Sequence, residues 1–194
     1  MWIVAGPNGS GKTTLVRAGF IQAAMGEPLE SLNPDDIAVT IRIAESGIDP
    51  AEANLRAARI SDSRVDQCIE EGRSFLAETV LSSDKFKDRV VSARSAGFAL
   101  GLTFVVVESV EISIGRVAQR AQQGGHAVPV EKIRERWHKS LANFTWFARH
   151  ADIVHVFDNT LVADPRLVAE KRGGRWHLFM PGRIPEVDAA SREI

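Results

Sequence analysis

The sequence contains little of what several protein classes require. Cys68 is the single cysteine among 194 residues, which excludes an internal disulfide. Its helical spacing from Val65 and Ile69 predicts a buried structural thiol. The 24 Lys and Arg residues nearly balance the 25 Asp and Glu, so the basic excess that is typical of a bulk nucleic-acid binder is missing. The longest apolar stretch, Phe98 to Val107, is too short to cross a membrane as a helix.

Two further absences restrict the function. The four tryptophans do not alternate with basic residues, as they do in proteins that stack single-stranded nucleic acid. A signal peptide would not fit ahead of the first catalytic-looking residue, Gly6. We therefore expect a cytoplasmic protein without a membrane or bulk nucleic-acid partner. The length and the 44% hydrophobic content suit one α/β domain, which we assign to residues 1–180, with 181–194 as a loosely held tail.

A phosphate-binding motif stands at the beginning of the chain. Residues Gly6 to Thr13 read Gly-Pro-Asn-Gly-Ser-Gly-Lys-Thr, which matches G-x-x-x-x-G-K-[ST]. Met1 to Ala5 predicts a buried strand and Thr14 to Ile21 a helix, the context in which backbone N–H groups converge on phosphates. Lys12 is expected on the β- and γ-phosphates, and the Thr13 hydroxyl on Mg²⁺. The predicted contacts with ATP or GTP in this segment are Gly6, Pro7, Asn8, Gly9, Ser10, Gly11, Lys12, Thr13 and Thr14.

Helical and strand patterns alternate along the rest of the chain. This alternation predicts a parallel sheet with helices on both faces and ligands at the carboxyl ends of the strands. A β-hairpin around Gly173-Gly174 is expected to close the fold. The predicted helices cover 35–44, 50–72, 83–97, 110–123 and 129–148, and the predicted strands end near Leu32, Glu78, Val107 and Phe157, with hairpin strands at 166–169 and 176–179.

Carboxylates follow two of the predicted strands. Asp35 and Asp36 stand where a kinase needs a base for the acceptor hydroxyl, although Asn-Pro-Asp-Asp also suits a turn and helix N-cap. Glu78 ends the next strand, with Thr79 and Ser82 after it. That carboxylate can bind Mg²⁺, directly or through water, or the acceptor, or it can remain idle in solvent. Which of Asp35 and Asp36 serves as base stays open at this point.

Arginines on two consecutive helices predict a lid at about residues 116–137. Arg116 and Arg120 are four residues apart and share a polar helix face. Arg134 and Arg136 lie on the next helix and point in different directions, so that one of them is expected to reach the phosphates. Such a lid closes over a triphosphate in many enzymes. The alternative is an ordinary solvated arginine face.

Two polar residues outside these helices complete the candidate contacts. His126 follows Gly124-Gly125 between the lid helices, where it can touch phosphate or substrate or simply lie in an exposed turn. Asn159 comes after the strand that ends at Phe157. It can contact the nucleotide base or begin a turn.

Together these motifs resemble the zeta-toxin-like group of P-loop kinases. The resemblance implies a kinase-like P-loop fold and transfer of the γ-phosphate to a hydroxyl of a small molecule, which in the best-known zeta toxins is UDP-N-acetylglucosamine. It implies Asp35 as base, Glu78 and Thr79 toward the acceptor, and Arg120 with Arg134 or Arg136 on the γ-phosphate. The other candidate acceptor contacts in the sequence are Asn33, Asp36, Ser82 and His126. The matching segments are 6–14, 33–38, 75–79, 124–129, 133–137 and 157–159.

The resemblance leaves the acceptor open. Trp137 replaces the tyrosine or phenylalanine expected there, and the chain is shorter than the best-known zeta toxins. A toxin role would imply an antitoxin partner, which the sequence does not identify. Alternatives are an antibiotic phosphotransferase of the chloramphenicol type and a nucleotide-hydrolysing regulatory ATPase. An ABC-type motor would require an L-S-G-G-Q signature and a strand that ends in Asp-Glu, which the sequence lacks.

Overall fold

The computed structural model describes residues 1–19, 21, 29–123, 125, 127–161 and 164–193. The strands are β1 (Trp2–Ala5), β2 (Glu30–Leu32), β3 (Phe75–Thr79), β4 (Gly101–Val106), β5 (Ile153–Asp158), β6 (Arg166–Arg172) and β7 (Arg175–Leu178). The helices within these ranges are α1 (Lys12–Arg17), α2 (Pro34–Ala44), α3 (Pro50–Glu70), α4 (Lys85–Ser95), α5 (Val110–Gln122), α6 (Val130–His150) and α7 (Pro185–Glu193).

The strands form one mixed sheet in the order β2-β3-β1-β4-β5-β6-β7. The first five strands of that order are parallel, and the β6–β7 hairpin adds antiparallel strands at one edge. This confirms the predicted parallel sheet with a C-terminal hairpin. β3 and β4 follow each other along the chain but lie on opposite sides of β1, so the crevice for a ligand opens at the carboxyl end of β1.

Helices cover both faces of the sheet, and the central strands are accordingly apolar. Every residue of β1 and β4 is buried, as expected for parallel strands that pack on two sides. On one face the rings of Phe104 and Phe144 lie 4.8 Å apart between β4 and α6. Cys68 of α3 is buried on this face, which confirms its structural role. On the other face Leu15 of α1 packs with Trp2 and Val4.

The prediction of a loosely held tail after Pro181 is wrong. Residues 185–193 form α7, which packs against α6 and buries Val187 and Ala190 in the main core. The sequence does contain signals for this helix, but they extend over few residues. Pro185 begins the helix, Glu186 lies in its first turn, and the two buried residues are one turn apart. Within the described ranges, no helix is both long and apolar enough to cross a membrane.

Two predicted helix ends also differ. α1 ends at Arg17, ahead of Gly19 at φ +77°, and is therefore shorter than the predicted 14–21. α4 has Asp84 rather than Ser83 at its N-cap, without a side-chain capping bond. Local sequence locates both helices, but their ends depend on how each helix packs.

Candidate functional site

The three glycines of the phosphate-binding loop lie where a larger residue would not fit. A Cβ on Gly6 (φ +142°) would stand 1.9 Å from the Val105 carbonyl oxygen of β4. On Gly9 (φ +74°) it would stand 2.6 Å from the Ser113 carbonyl oxygen of α5. The loop backbone therefore lies in close contact with β4 and α5, which fits a glycine-rich phosphate cradle.

Lys12 lies across the mouth of this loop. Its Nζ donates to the carbonyl oxygens of Gly6 at 2.8 Å and Pro7 at 2.9 Å, which leaves one of the three ammonium N–H groups for a ligand. Desolvation lowers the pKa of Lys12 to about 8, although the carboxylates of Glu78 and Asp35 act in the opposite direction. An anion bound at the loop would favour the charged ammonium.

Thr13, Glu78 and Asn33 form a network that joins the ends of three strands. The Thr13 hydroxyl donates to Glu78 Oε2 at 2.8 Å, and Asn33 Nδ2 donates to Glu78 Oε1 at 2.9 Å. Burial raises the pKa of Glu78, which is 8% exposed, against the opposing hydrogen bond from Thr13 and the charge of Lys12. The hydroxyl and carboxylate fit Mg²⁺, which commonly takes one or two carboxylates together with substrate phosphates.

The two aspartates at the start of α2 point in different directions. Asp35 Oδ2 lies 3.5 Å from Arg120 Nη1 of α5, so it faces the cleft beside the phosphate-binding loop. Asp36 pairs with Arg17 of α1 at 2.8 Å. The Asn33 side chain accepts from the Asp35 N–H at 2.9 Å, and this N-cap fixes the start of α2.

The remaining lid arginines have different surroundings. Arg116 is half-buried and donates to the Thr160 carbonyl oxygen at 2.9 Å. Arg134 pairs with Glu111 of α5 at 3.0 Å on an exposed surface, while Arg136 is half-buried on another face of α6. Arg120 is thus the lid arginine found beside Asp35. The predicted contact His126 lies outside the described residues.

The loop after β3 takes a strained conformation beside Glu78. Leu81 is buried and has φ +55°. This left-handed backbone conformation is energetically unfavourable for a residue with a β-carbon. Thr79 Oγ1 accepts from the Leu81 N–H at 3.3 Å, and Asn143 of α6 donates to the Leu81 carbonyl at 2.8 Å. Ser82 follows, half-buried. Sequence reasoning missed Asn143 because a contact 62 residues distant leaves no local pattern.

Asn159 supports the phosphate-binding loop from behind. Its Nδ2 donates to the Ser10 carbonyl oxygen at 2.7 Å and lies 2.1 Å from where a Cβ of Gly11 would be. The side chain thus contacts the loop backbone and begins the turn after β5. Of the two alternatives given for Asn159 above, this arrangement corresponds to the beginning of a turn.

A basic cavity of about 680 Å³ lies at the other end of the strands, where β5 begins. The cations that line it have a structural role. Lys171 donates to the carbonyl oxygens of Ala148 at 2.9 Å and Ala151 at 3.0 Å, and Arg94 to that of His150 at 2.9 Å. These cations satisfy the carbonyl groups at the C-terminus of α6, a common role of Lys and Arg there.

The chain is similar to known proteins in both sequence and fold. The zeta toxin family model matches residues 1–167. An uncharacterized protein of Haemophilus influenzae is 30% identical over 132 residues, which cover 68% of this chain and 88% of that protein. The structure of AvrRxo1-ORF1:-ORF2 with ATP is similar at a TM-score of 0.73 and 16% identity over 98% of this chain. The PezAT toxin–antitoxin system of Streptococcus pneumoniae has a TM-score of 0.64 at 14% identity, over 100% of this chain and 84% of that one.

These structural similarities show a shared P-loop kinase-like fold. The chain spans 62% of the length of the AvrRxo1 chain.

The loop geometry predicts that Gly6→Ala destabilises the fold more than Gly97→Ala. Both glycines have positive φ, but a Cβ on Gly97 would meet nothing within 4 Å. Strain alone costs about 1–2 kcal/mol, and the clash with the β4 backbone should add about 1–3 kcal/mol to Gly6→Ala. Urea denaturation measures both losses. Equal losses for the two variants would show that a Cβ at position 6 does not clash with β4, contrary to the structure.

Proposed function

Because the chain belongs to the zeta toxin family, we propose that it is a phosphotransferase that moves the γ-phosphate of ATP, or GTP, to a hydroxyl of a small molecule. The observation that carries the proposal is the placement of Asp35 and Arg120 3.5 Å apart, beside the cradle of Lys12, Thr13 and Glu78. Under this proposal, a proton acceptor and a cation would lie close to the terminal phosphate of the bound nucleotide.

The donor side consists of the loop and its neighbours. The loop N–H groups and Lys12 would hold the β- and γ-phosphates. Thr13 and Glu78 would hold Mg²⁺, which when bound neutralises phosphate charge. ATP as donor is supported by the AvrRxo1 structure, which was solved with ATP. We propose the cytoplasm as the location of the activity.

The transfer itself exchanges two bonds to phosphorus. The acceptor hydroxyl oxygen bonds to the γ-phosphorus while the bond to the β–γ bridging oxygen breaks, and Asp35 takes the hydroxyl proton. Arg120 and Lys12 stabilise the charge on the transferring group. The ion pair of Arg120 with Asp35 is half exposed on both sides, so this pair contributes little energy.

The lid, residues 116–137, would close over the bound nucleotide. Its second helix offers Arg134 and Arg136. We favour Arg136 for the γ-phosphate, because Arg134 is paired with Glu111. Arg116 and Asn159 would assist by holding the elements around the loop, through Thr160 and Ser10.

For the acceptor we propose an amino-sugar nucleotide, such as UDP-N-acetylglucosamine, on the family assignment. Thr79, at the end of β3, and Ser82, in the strained loop after it, are the polar groups that would contact it. A chloramphenicol-type acceptor is the alternative. The PezAT relative is a toxin–antitoxin system, and on this ground we propose an antitoxin protein as partner.

The test of the proposal is transfer of label from γ-labelled ATP to a panel of sugar nucleotides, aminoglycosides, amphenicols and short RNAs. Label on a sugar nucleotide supports the proposed acceptor, and label on an amphenicol supports the alternative. Label that passes to water alone across the panel contradicts a phosphotransferase and favours a regulatory ATPase.

Asp35→Asn should lower kcat for the labelled acceptor by about 10²–10⁴-fold, since a general base contributes that much. Its Kd for ATP should change less than about threefold. Asp36→Asn is the matched control, because Asp36 is held by Arg17, and it should retain most of the rate. If Asp36→Asn abolishes transfer while Asp35→Asn does not, Asp36 is the base and this assignment is wrong.

The pKa of about 8 for Lys12 predicts that ATP binding weakens in alkaline solution. Phosphates bind the protonated ammonium, so above pH 8 the free chain must take up a proton to bind ATP. The Kd for a fluorescent ATP analogue should be constant below about pH 7 and rise about tenfold per pH unit above about pH 8.5. In Lys12→Met the Kd should be high and independent of pH. The same alkaline rise in both proteins would assign the effect to another group.

A further inference from the structure

Residues 158–160, here called the β5 turn, hold both the phosphate-binding loop and the lid. Asn159 donates to the Ser10 carbonyl oxygen at 2.7 Å. Thr160 accepts from Arg116 of α5 at 2.9 Å through its carbonyl, and its Oγ1 accepts from the Glu108 N–H, also at 2.9 Å. The position of this turn therefore sets the position of two elements that surround the proposed nucleotide.

The turn is itself organised by the Asp158 carboxylate. Asp158 Oδ1 accepts from both the N–H and the hydroxyl of Thr160, and Oδ2 accepts from Arg183 Nε at 2.6 Å. The Asp158 side chain is 8% exposed. Burial by itself would raise the pKa of Asp158, but the hydrogen bonds from Thr160 and Arg183 hold it below its ordinary value. Without Arg183 a buried carboxylate would lose its nearest cationic partner, which is costly.

Arg183 belongs to a segment that is anchored independently of the turn. Residues 181–193, here called the C-terminal arm, include α7 and the buried Ile184 next to Arg183. At its far end Glu193 pairs with Arg149 of α6 at 3.0 Å. Arg183 also reaches Glu108 at 3.1 Å, at the start of the connection to the lid helix. The C-terminal arm thus positions the Arg183 guanidinium between the ends of β4 and β5.

We propose that Arg183 is a positioning residue for nucleotide binding: through Asp158 it fixes the β5 turn, and through Asn159 it fixes the phosphate-binding loop. The C-terminal arm is then part of the nucleotide site although it contacts no phosphate. This inference rests on the proposed function, since it concerns the affinity for ATP.

Arg183→Met should raise the Kd of a fluorescent ATP analogue about tenfold, within the range for residues that couple through a packed network. Arg149→Met is the matched control, because it removes an ion pair of the same arm far from the β5 turn. It should lower the thermal stability less than Arg183→Met, because its ion pair is exposed, and leave the Kd within about twofold. The Kd of Arg183→Lys should lie between those of the unaltered chain and Arg183→Met, since one ammonium cannot reproduce the guanidinium fork between Asp158 and Glu108. If Arg183→Met does not fold, Arg183→Lys against Arg149→Lys makes the same comparison.

A double-mutant cycle with Asn159→Ala separates positioning from general loss of stability. If Arg183 acts through Asn159, Arg183→Met should raise the Kd less than about twofold in the Asn159→Ala background. Effects that multiply in the double variant would overturn the inference, as would equal Kd values for the Arg183 and Arg149 variants. Absence of ATP binding by the unaltered chain would overturn the proposed function and this inference with it.

Discussion

The hydrogen bond between the Thr13 hydroxyl and the Glu78 carboxylate connects the two halves of the site. It ties the loop after β1 to the end of β3, and Asn33 adds the end of β2 through the other carboxylate oxygen. Burial of Glu78 disfavours its charged form and so raises its pKa, and a nearby cation would offset this effect. The strand order, which places β3 beside β1, therefore creates a position where, under the proposed function, a metal ion and a triphosphate would stabilise one another.

The same network connects the proposed donor side with the proposed acceptor side. The Asn33 side chain donates to Glu78 and accepts from the Asp35 N–H, so one amide orients both the proposed metal ligand and the start of α2. Asp35 consequently faces Arg120 across the cleft. The proposed base is thus positioned by backbone and cap, while its carboxylate remains exposed to receive an acceptor.

Sequence predicted the elements and the loop because both rest on local rules. Hydrophobic periodicity gave the helices and strands, and the glycine spacing of residues 6–13 gave the phosphate cradle. The direction of Asp36 toward Arg17 and of Arg134 toward Glu111 could not be predicted, since each depends on a partner from another element. α7 was missed because nine residues give too short a period, and the Arg183–Asp158 pair because it is tertiary.

The most direct test of this account is the Mg²⁺ dependence of ATP binding, measured by calorimetry on the unaltered chain and on Glu78→Gln. Glutamine keeps the size of Glu78 and one of its two hydrogen-bonding oxygens, but not its charge. The account predicts that Mg²⁺ tightens ATP binding to the unaltered chain about tenfold or more, and that Glu78→Gln loses most of this gain while it still binds metal-free ATP. A Glu78→Gln variant with the full Mg²⁺ gain would contradict the account.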